Sequence, residues 1–172
     1  MLDFATKSFA NIITLFNILF GSLSIIYTIN QSYSLAAIFI LIAVILDGLD
    51  GKIARRLDTE SELGKQLDSL CDLVSFGVAP AVLIYAHIYS SHPAEILGLL
   101  ATLLFIMTGA FRLARFNVLN IKGYFQGIPI TMAGGIMALV SIISPILPFF
   151  LVWIVMILFS YLMISKIRIP KW

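Results

Sequence analysis

The chain is poor in the residues that most often mark chemistry in a sequence. A single cysteine, Cys71, excludes an intramolecular disulfide. With no histidine near it to act as a base, it reads as a packing residue rather than a nucleophile. The two histidines, His87 and His92, share one short connection far from the acidic residues and read as interfacial. Charge is also scarce: Asp, Glu, Lys and Arg make up 12 % of the 172 residues, about half the usual share for a soluble domain. A chain of this length cannot cover a soluble core with so few charges, so its apolar surface must face lipid. The net charge of +2 is spread over helix ends and anionic headgroups account for it, so no nucleic-acid partner is expected. No low-complexity segment, long linker or short repeat interrupts the chain. The first apolar run flows into a full span without a small-residue cleavage site, so no cleavable signal peptide is expected.

What the chain has is apolar length. Hydrophobic residues make up 60 % and the mean hydropathy is +1.04. Six apolar stretches, near 9–29, 35–57, 61–88, 94–118, 129–145 and 148–167, approach the ~20 helical residues that a hydrocarbon core requires. The short connections at 30–34, 87–93 and 144–148 favour antiparallel neighbours, whereas 119–128 is longer and carries Lys122, Gly123 and Gly127. An even number of spans puts all eleven Lys and Arg, from Lys7 to Lys171, on one side, and the three opposite connections hold none. By the positive-inside rule that side is cytoplasmic. The expectation is an all-α integral membrane protein, one domain over 1–172, with six transmembrane helices and both termini at the cytoplasmic face of the cell membrane. Asp3, Lys7, Asn11, Thr14 and Asn17 interrupt the first apolar run, which predicts an amphipathic N-terminal segment along the interface. Pro80 lies inside the third stretch and predicts a kink.

Seven of the nine acidic residues fall between positions 47 and 72. Asp47 and Asp50 are three apart near the end of the second helix, and Asp68 and Asp72 are four apart near the start of the third. Both spacings place paired carboxylates on one helical face. A turn around Asp58–Ser61 connects the helices, and Thr59 with Glu62 has the spacing of a capping box. At ~1.5 Å per residue the two pairs sit at similar depth, ~12–16 Å below that turn. Four carboxylates converging there repel one another and are costly to desolvate, which protonation or divalent cations would relieve. An oxygen-only ligand set suits Mg²⁺, Mn²⁺ or Ca²⁺ rather than zinc, and two such cations would stabilise a transferring phosphoryl group. Gly48, Gly51, Ala54 and Gly64 leave room for a bulky ligand, and Arg55 can pair with its phosphates. For Asp58, Glu60 and Glu62, in the turn, an interfacial ion-pair network with the neighbouring basic residues is the simpler reading. A proton- or cation-coupled transporter would also explain buried carboxylates, though not the glycines and arginine among them. Its outer helix halves would then need a polar path, yet only Glu95 lies near that boundary.

The run Asp47-x-x-Asp50-Gly51-x-x-Ala54-Arg55, then eight residues, then Gly64-x-x-x-Asp68-x-x-x-Asp72 resembles the signature of the CDP-alcohol phosphatidyltransferase family at every defined position. The resemblance implies that Asp47, Asp50, Asp68 and Asp72 bind two divalent cations, Mg²⁺ or Mn²⁺, which hold the pyrophosphate of a CDP-lipid. It implies that Gly51, Arg55 and Ser61 contact that lipid, that Ala54 and Gly64 give space to its nucleotide, and that Asp72 is also the base for the attacking hydroxyl. Thr14 and Asn17 resemble a first-helix pair that meets the cytidine-phosphate end, although ordinary interhelical hydrogen bonding explains them equally well.

Three further segments, Ser75–Ala81, Phe111–Asn117 and Phe125–Pro129, resemble the phosphatidylserine synthase branch. That implies transfer of the phosphatidyl group of CDP-diacylglycerol to L-serine with release of CMP. Arg112 and Arg115, three apart, form a fork suited to the carboxylate of serine. The fork suits glycerol 3-phosphate or an inositol phosphate as well, and positive-inside anchoring would also place arginines there. The Phe125–Pro129 segment could shape the acceptor entrance. Gly134 and Ala138 form a small-xxx-small pair that allows close helix packing. The family is typically homodimeric, so a homodimer among membrane lipids is the expected assembly.

Overall fold

The computed structural model describes residues 2–57, 62–119 and 124–170, with side chains described at 12, 14–49, 62–118 and 127–167. Seven α-helices account for nearly all of it. They are α1 (Leu2–Ile29), α2 (Tyr33–Leu57), α3 (Glu62–Asp72), α4 (Ala79–Ile84), α5 (Glu95–Leu119), α6 (Ile130–Ile143) and α7 (Phe149–Ile164). Helix α3 does not end at Asp72. It continues through a π-helical stretch, Leu73–Val78, into α4 and through a second, Tyr85–Tyr89. The rod Glu62–Tyr89 and the helix Glu95–Val118 are long and apolar enough to cross a membrane, and four shorter apolar helices accompany them. The only strands among the described residues are β1 (Tyr124–Gln126) and β2 (Arg168–Pro170), an antiparallel pair. This ladder ties the α5–α6 connection to the segment after α7. The turn around Asp58–Ser61, with the Thr59 cap, and Lys122 and Gly123 of the α5–α6 connection lie outside the described residues.

Apolar side chains are shown outward on every long helix, for example Ile26, Ile45, Leu100, Met107, Leu139 and Ile154. A water-soluble fold does not tolerate apolar exposure on that scale, and a membrane protein requires it. The interior is built instead from small and medium residues such as Ala36, Ala37, Ile40, Ala79, Ala133, Met137 and Ala138. Without a hydrophobic driving force between helices in lipid, close van der Waals approach takes over, and small residues permit it.

Glycines mark where backbones meet. A Cβ on Gly21 of α1 would collide with Ser75, and one on Gly134 of α6 would lie 2.5 Å from the Phe76 carbonyl oxygen. Phe76 is the residue four before Pro80, so it is the carbonyl that proline deprives of its usual donor. The preceding π stretch absorbs that irregularity: Ala79 N–H bonds Val74 O, five residues back. Widened turns of this kind tend to sit at functional positions, and this one begins directly after Asp72. Gly127, with φ +77°, places its backbone against Leu162 and Met163 and donates its N–H to Ile167 O at 2.9 Å. Only glycine takes that conformation without strain.

At the end away from the aspartates, aromatic and polar side chains tie the helices. Tyr89 donates to Phe149 O at 2.7 Å and Trp153 Nε1 to Leu97 O at 3.1 Å. His87 stacks on Tyr33 at 4.3 Å and shares a hydrogen bond with Ser141 at 3.1 Å. His92 packs on Phe149.

Candidate active site

Helices α2 and α3 bring their acids together because each pair follows the helical period. Asp47, Asp68 and Asp72 offer carboxylate oxygens that all lie within 4.8 Å of one another. Asp72 is buried, and Asp47 and Asp68 are half-buried. Asp47 and Asp72 stand at hydrogen-bonding distance from each other, a spacing two bare carboxylates cannot hold in a low-dielectric interior. The cluster therefore demands positive charge or shared protons. Its donors are all oxygen and converge from two helices, which fits a hard divalent cation.

Two neutral donors hold the cluster from the other side. Asn17, fully buried on α1, donates through Nδ2 to Asp72 Oδ1 at 3.4 Å. Its own carbonyl accepts from Ser75 Oγ at 3.0 Å, so α1 and α3 are locked at this level. Thr131, at the start of α6, hydrogen-bonds Asp47. Four residues on, a Cβ on Gly135 would lie 3.2 Å from Val44, so the same seam sets how deeply α6 approaches α2. Thr131 was not among the residues singled out from sequence. A lone threonine in an apolar helix more than eighty positions from Asp47 carries no local signal.

Positive charge comes from α5. Arg112 is only 7 % exposed and lies close enough to Asp72 and Asp47 for their charges to act on it. Its Nε has no hydrogen-bond partner among the described residues. Arg115 points elsewhere. It donates to the carbonyls of Ile164 at 2.9 Å, Ser165 at 3.3 Å and Met163 at 3.4 Å, covering the C-terminal end of α7, where helix carbonyls lack intrahelical donors. The two arginines thus divide rather than forming one fork.

Thr14 is buried one turn before Asn17 on α1, and Gly64 is half-buried one turn before Asp68 on α3. Gly48 faces open space, with nothing within 4 Å of a Cβ placed there, so the wall beside Asp47 is low. Asp50, Gly51, Ala54 and Arg55 continue α2 beyond Asp47, but their side-chain positions lie outside the described residues, as does all of Ser61. Of the Phe125–Pro129 segment, Gly127–Pro129 are described and the side chain of Phe125 is not.

The family model described as CDP-alcohol phosphatidyltransferase matches residues 7–164. The chain is 42 % identical over 160 residues to a CDP-diacylglycerol–serine O-phosphatidyltransferase of Methanocaldococcus jannaschii, covering 93 % of this chain and 72 % of that one. It is 37 % identical over 160 residues to the Bacillus subtilis protein of that name, covering 92 % and 87 %. It is 38 % identical over 168 residues to the archaetidylserine synthase of Methanothermobacter thermautotrophicus, covering 94 % and 69 %.

Proposed function

The chain belongs to the CDP-alcohol phosphatidyltransferase family, and we propose that it transfers the phosphatidyl group of CDP-diacylglycerol to L-serine, giving phosphatidylserine and CMP. The observation that carries this reading is the meeting of Asp47, Asp68 and Asp72 beside Arg112, a buried cation with an unused donor. The similar proteins named above differ in lipid but share serine.

Asp47, Asp50, Asp68 and Asp72 would hold two divalent cations, Mg²⁺ or Mn²⁺. Bound there, the cations supply charge that offsets the pyrophosphate and the negative charge growing on the departing CMP. The protein's own groups do the rest. Asn17 and Thr131 hold Asp72 and Asp47 at fixed angles, so the cluster is organised before substrate arrives. Asp72 accepts the proton of the serine hydroxyl as its oxygen attacks the lipid-side phosphorus and the bond to the CMP oxygen breaks. Arg112 holds the serine carboxylate, and Arg115 acts at a distance by fixing the end of α7. Gly51, Arg55 and Ser61 would contact the CDP-lipid, with Thr14 and Asn17 at its cytidine-phosphate end. Ala54 and Gly64, with open-sided Gly48, leave space for the nucleotide.

Orientation in the membrane follows the same reading. Neighbouring contacts run 17 to 72 and 21 to 75 between α1 and the rod Glu62–Tyr89, which makes the two parallel. They run 47 to 131 and 44 to 135 between α2 and α6, which makes those antiparallel. That alternation is what six spans require; the reading further takes one domain over 1–172, both termini and the site on the cytoplasmic side of the cell membrane by the positive-inside rule, an interfacial start to α1 and a homodimeric assembly. The test is CMP release by the purified protein from CDP-diacylglycerol with Mn²⁺ or Mg²⁺. L-serine, glycerol 3-phosphate and inositol 1-phosphate are offered in parallel. Release with serine alone supports the reading, release with another acceptor discards serine, and release with none discards the reaction.

A further inference from the structure

Polar groups gather at two levels of the bundle, and the two levels lie close together. At one end Tyr33 stacks on His87 and donates its hydroxyl to Ala86 O at 3.3 Å. At the same end Tyr85 donates to the Glu95 carboxylate at 2.7 Å on the surface, and Trp153 donates to Leu97 O at 3.1 Å. Tyrosine and tryptophan in one layer, with a carboxylate beside them, mark a boundary between membrane and water. The other level is that of the aspartate cluster, with exposed Lys166 just past the end of α7. Three elements give similar spacings between these levels. Tyr33 to Asp47 on α2 is about 21 Å of helical rise, Asp72 to Tyr85 along the rod about 20 Å at most, and Trp153 to Ile164 on α7 about 17 Å.

The shorter helices are bounded at both ends. Helix α7 has 16 residues, about 24 Å, between Pro148 and Ser165. Helix α6 has 14 residues after Pro129, and with the 3-10 turn Ser144–Ile146 it reaches about 27 Å. An ordinary hydrocarbon core is about 30 Å thick, and tilting a helix only shortens its reach across it. The rod and α5 are longer, but a long helix can tilt or stand proud of the bilayer, whereas a short one cannot be stretched. Snorkelling does not close the gap at the site. Lys166 can reach outward, but Arg115 is tied to the carbonyls that end α7, and an aspartate side chain is too short to do so. Yet the apolar side chains between the two levels face outward, as Ile38, Ile45, Leu139, Ile154 and Leu158 do, and need lipid against them.

We propose that this lipid-facing surface fits a bilayer with a hydrocarbon core of about 25 Å or less, and that a thicker bilayer thins around the protein. In an undeformed core of about 30 Å the aspartate cluster would sit about 10 Å inside the hydrocarbon boundary. Thinning brings the headgroup plane down toward it. That consequence for catalysis rests on the CDP-lipid reading, because a lipid phosphate has to reach Asp47, Asp68 and Asp72, whereas the fit to a thin bilayer does not depend on it.

The experiment reconstitutes the full chain in vesicles of phosphatidylcholines whose monounsaturated chains run from about 14 to about 22 carbons, a series that spans the mismatch. Two quantities are read: the thermal midpoint without substrate, and CMP release at a fixed mole fraction of CDP-diacylglycerol with serine and Mn²⁺. The midpoint is expected to be highest in the bilayers of about 14 to 16 carbons and to fall steadily as the chains lengthen. CMP release is expected to follow it, about tenfold slower in the thickest bilayer than in the thinnest. A midpoint that is flat across the series, or highest at about 20 carbons or more, would overturn the inference, and neither result needs a variant to fold. A midpoint favouring thin bilayers with CMP release favouring thick ones would overturn the link between thinning and the site. No CMP release in any bilayer, with the midpoint still favouring thin ones, would discard the CDP-lipid reading and leave the fit to a thin membrane supported.

Discussion

Replacing Thr131 with valine removes one hydrogen bond from the cluster and almost nothing else. The two side chains have the same shape, so the contact of α6 with α2 survives, including the seam at Gly135 and Val44. What is lost is the bond from the Thr131 hydroxyl to Asp47. A hydrogen bond to a charged group is worth about 1.5–3 kcal/mol. At about 1.4 kcal/mol per decade that is roughly a 10- to 100-fold loss in the affinity Asp47 helps to provide, the size of effect seen when partners that orient metal ligands are removed. The assay is CMP release titrated with Mn²⁺ at fixed CDP-diacylglycerol and serine. The half-saturating Mn²⁺ concentration should rise about tenfold or more, while the rate at saturating Mn²⁺ stays near wild type. Thr131→Ser, which restores the hydroxyl, should return the curve to its original position. An unchanged Mn²⁺ titration for Thr131→Val would refute the claim that α6 organises the site through Asp47.

Asp72→Asn should lower the rate about 10³-fold or more, because one change removes both a ligand and the proton acceptor, and circular dichroism should show the fold intact. Arg112→Lys should raise the serine KM about tenfold, a lysine point charge being no substitute for an arginine donor fork, with the KM for CDP-diacylglycerol unmoved. Arg115→Ala should lower the thermal midpoint instead, by uncovering the carbonyls at the end of α7, and a change confined to the serine KM would contradict its placement there. Gly134→Ala should cost roughly 1–3 kcal/mol or more of stability, read as a lowered midpoint, because the atom its Cβ meets is the Phe76 backbone, which cannot turn aside.

The parts of this molecule legible in its sequence are those carried by helical period and by scarcity. Asp68 and Asp72 share a face because they are four apart, and the three described acids do converge. The apolar stretches correspond to the long helices because uninterrupted hydrophobicity over that length has few other uses in a chain this poor in charge. Pro80 marks a real irregularity, although neighbouring residues absorb it as a widened turn. What stayed hidden depends on contacts between distant segments. Arg115 has the spacing to join Arg112, but the free carbonyls of α7, nearly fifty residues later, claim it. Thr131 looks ordinary along the chain, and only the packing of α6 against α2 brings its hydroxyl to Asp47. The β1–β2 ladder rests on pairing between two three-residue segments, too short for any pattern to announce.

The central claim, that the carboxylates of α2 and α3 form a divalent-cation centre, is tested most directly by anomalous diffraction from crystals of the Mn²⁺-loaded protein. The account predicts anomalous density bounded by Asp47, Asp68 and Asp72, with Asp50 completing the ligand set, and its loss in Asp68→Asn. Manganese bound elsewhere, or a metal-free cluster in active protein with Asp72 paired to Arg112, would contradict it.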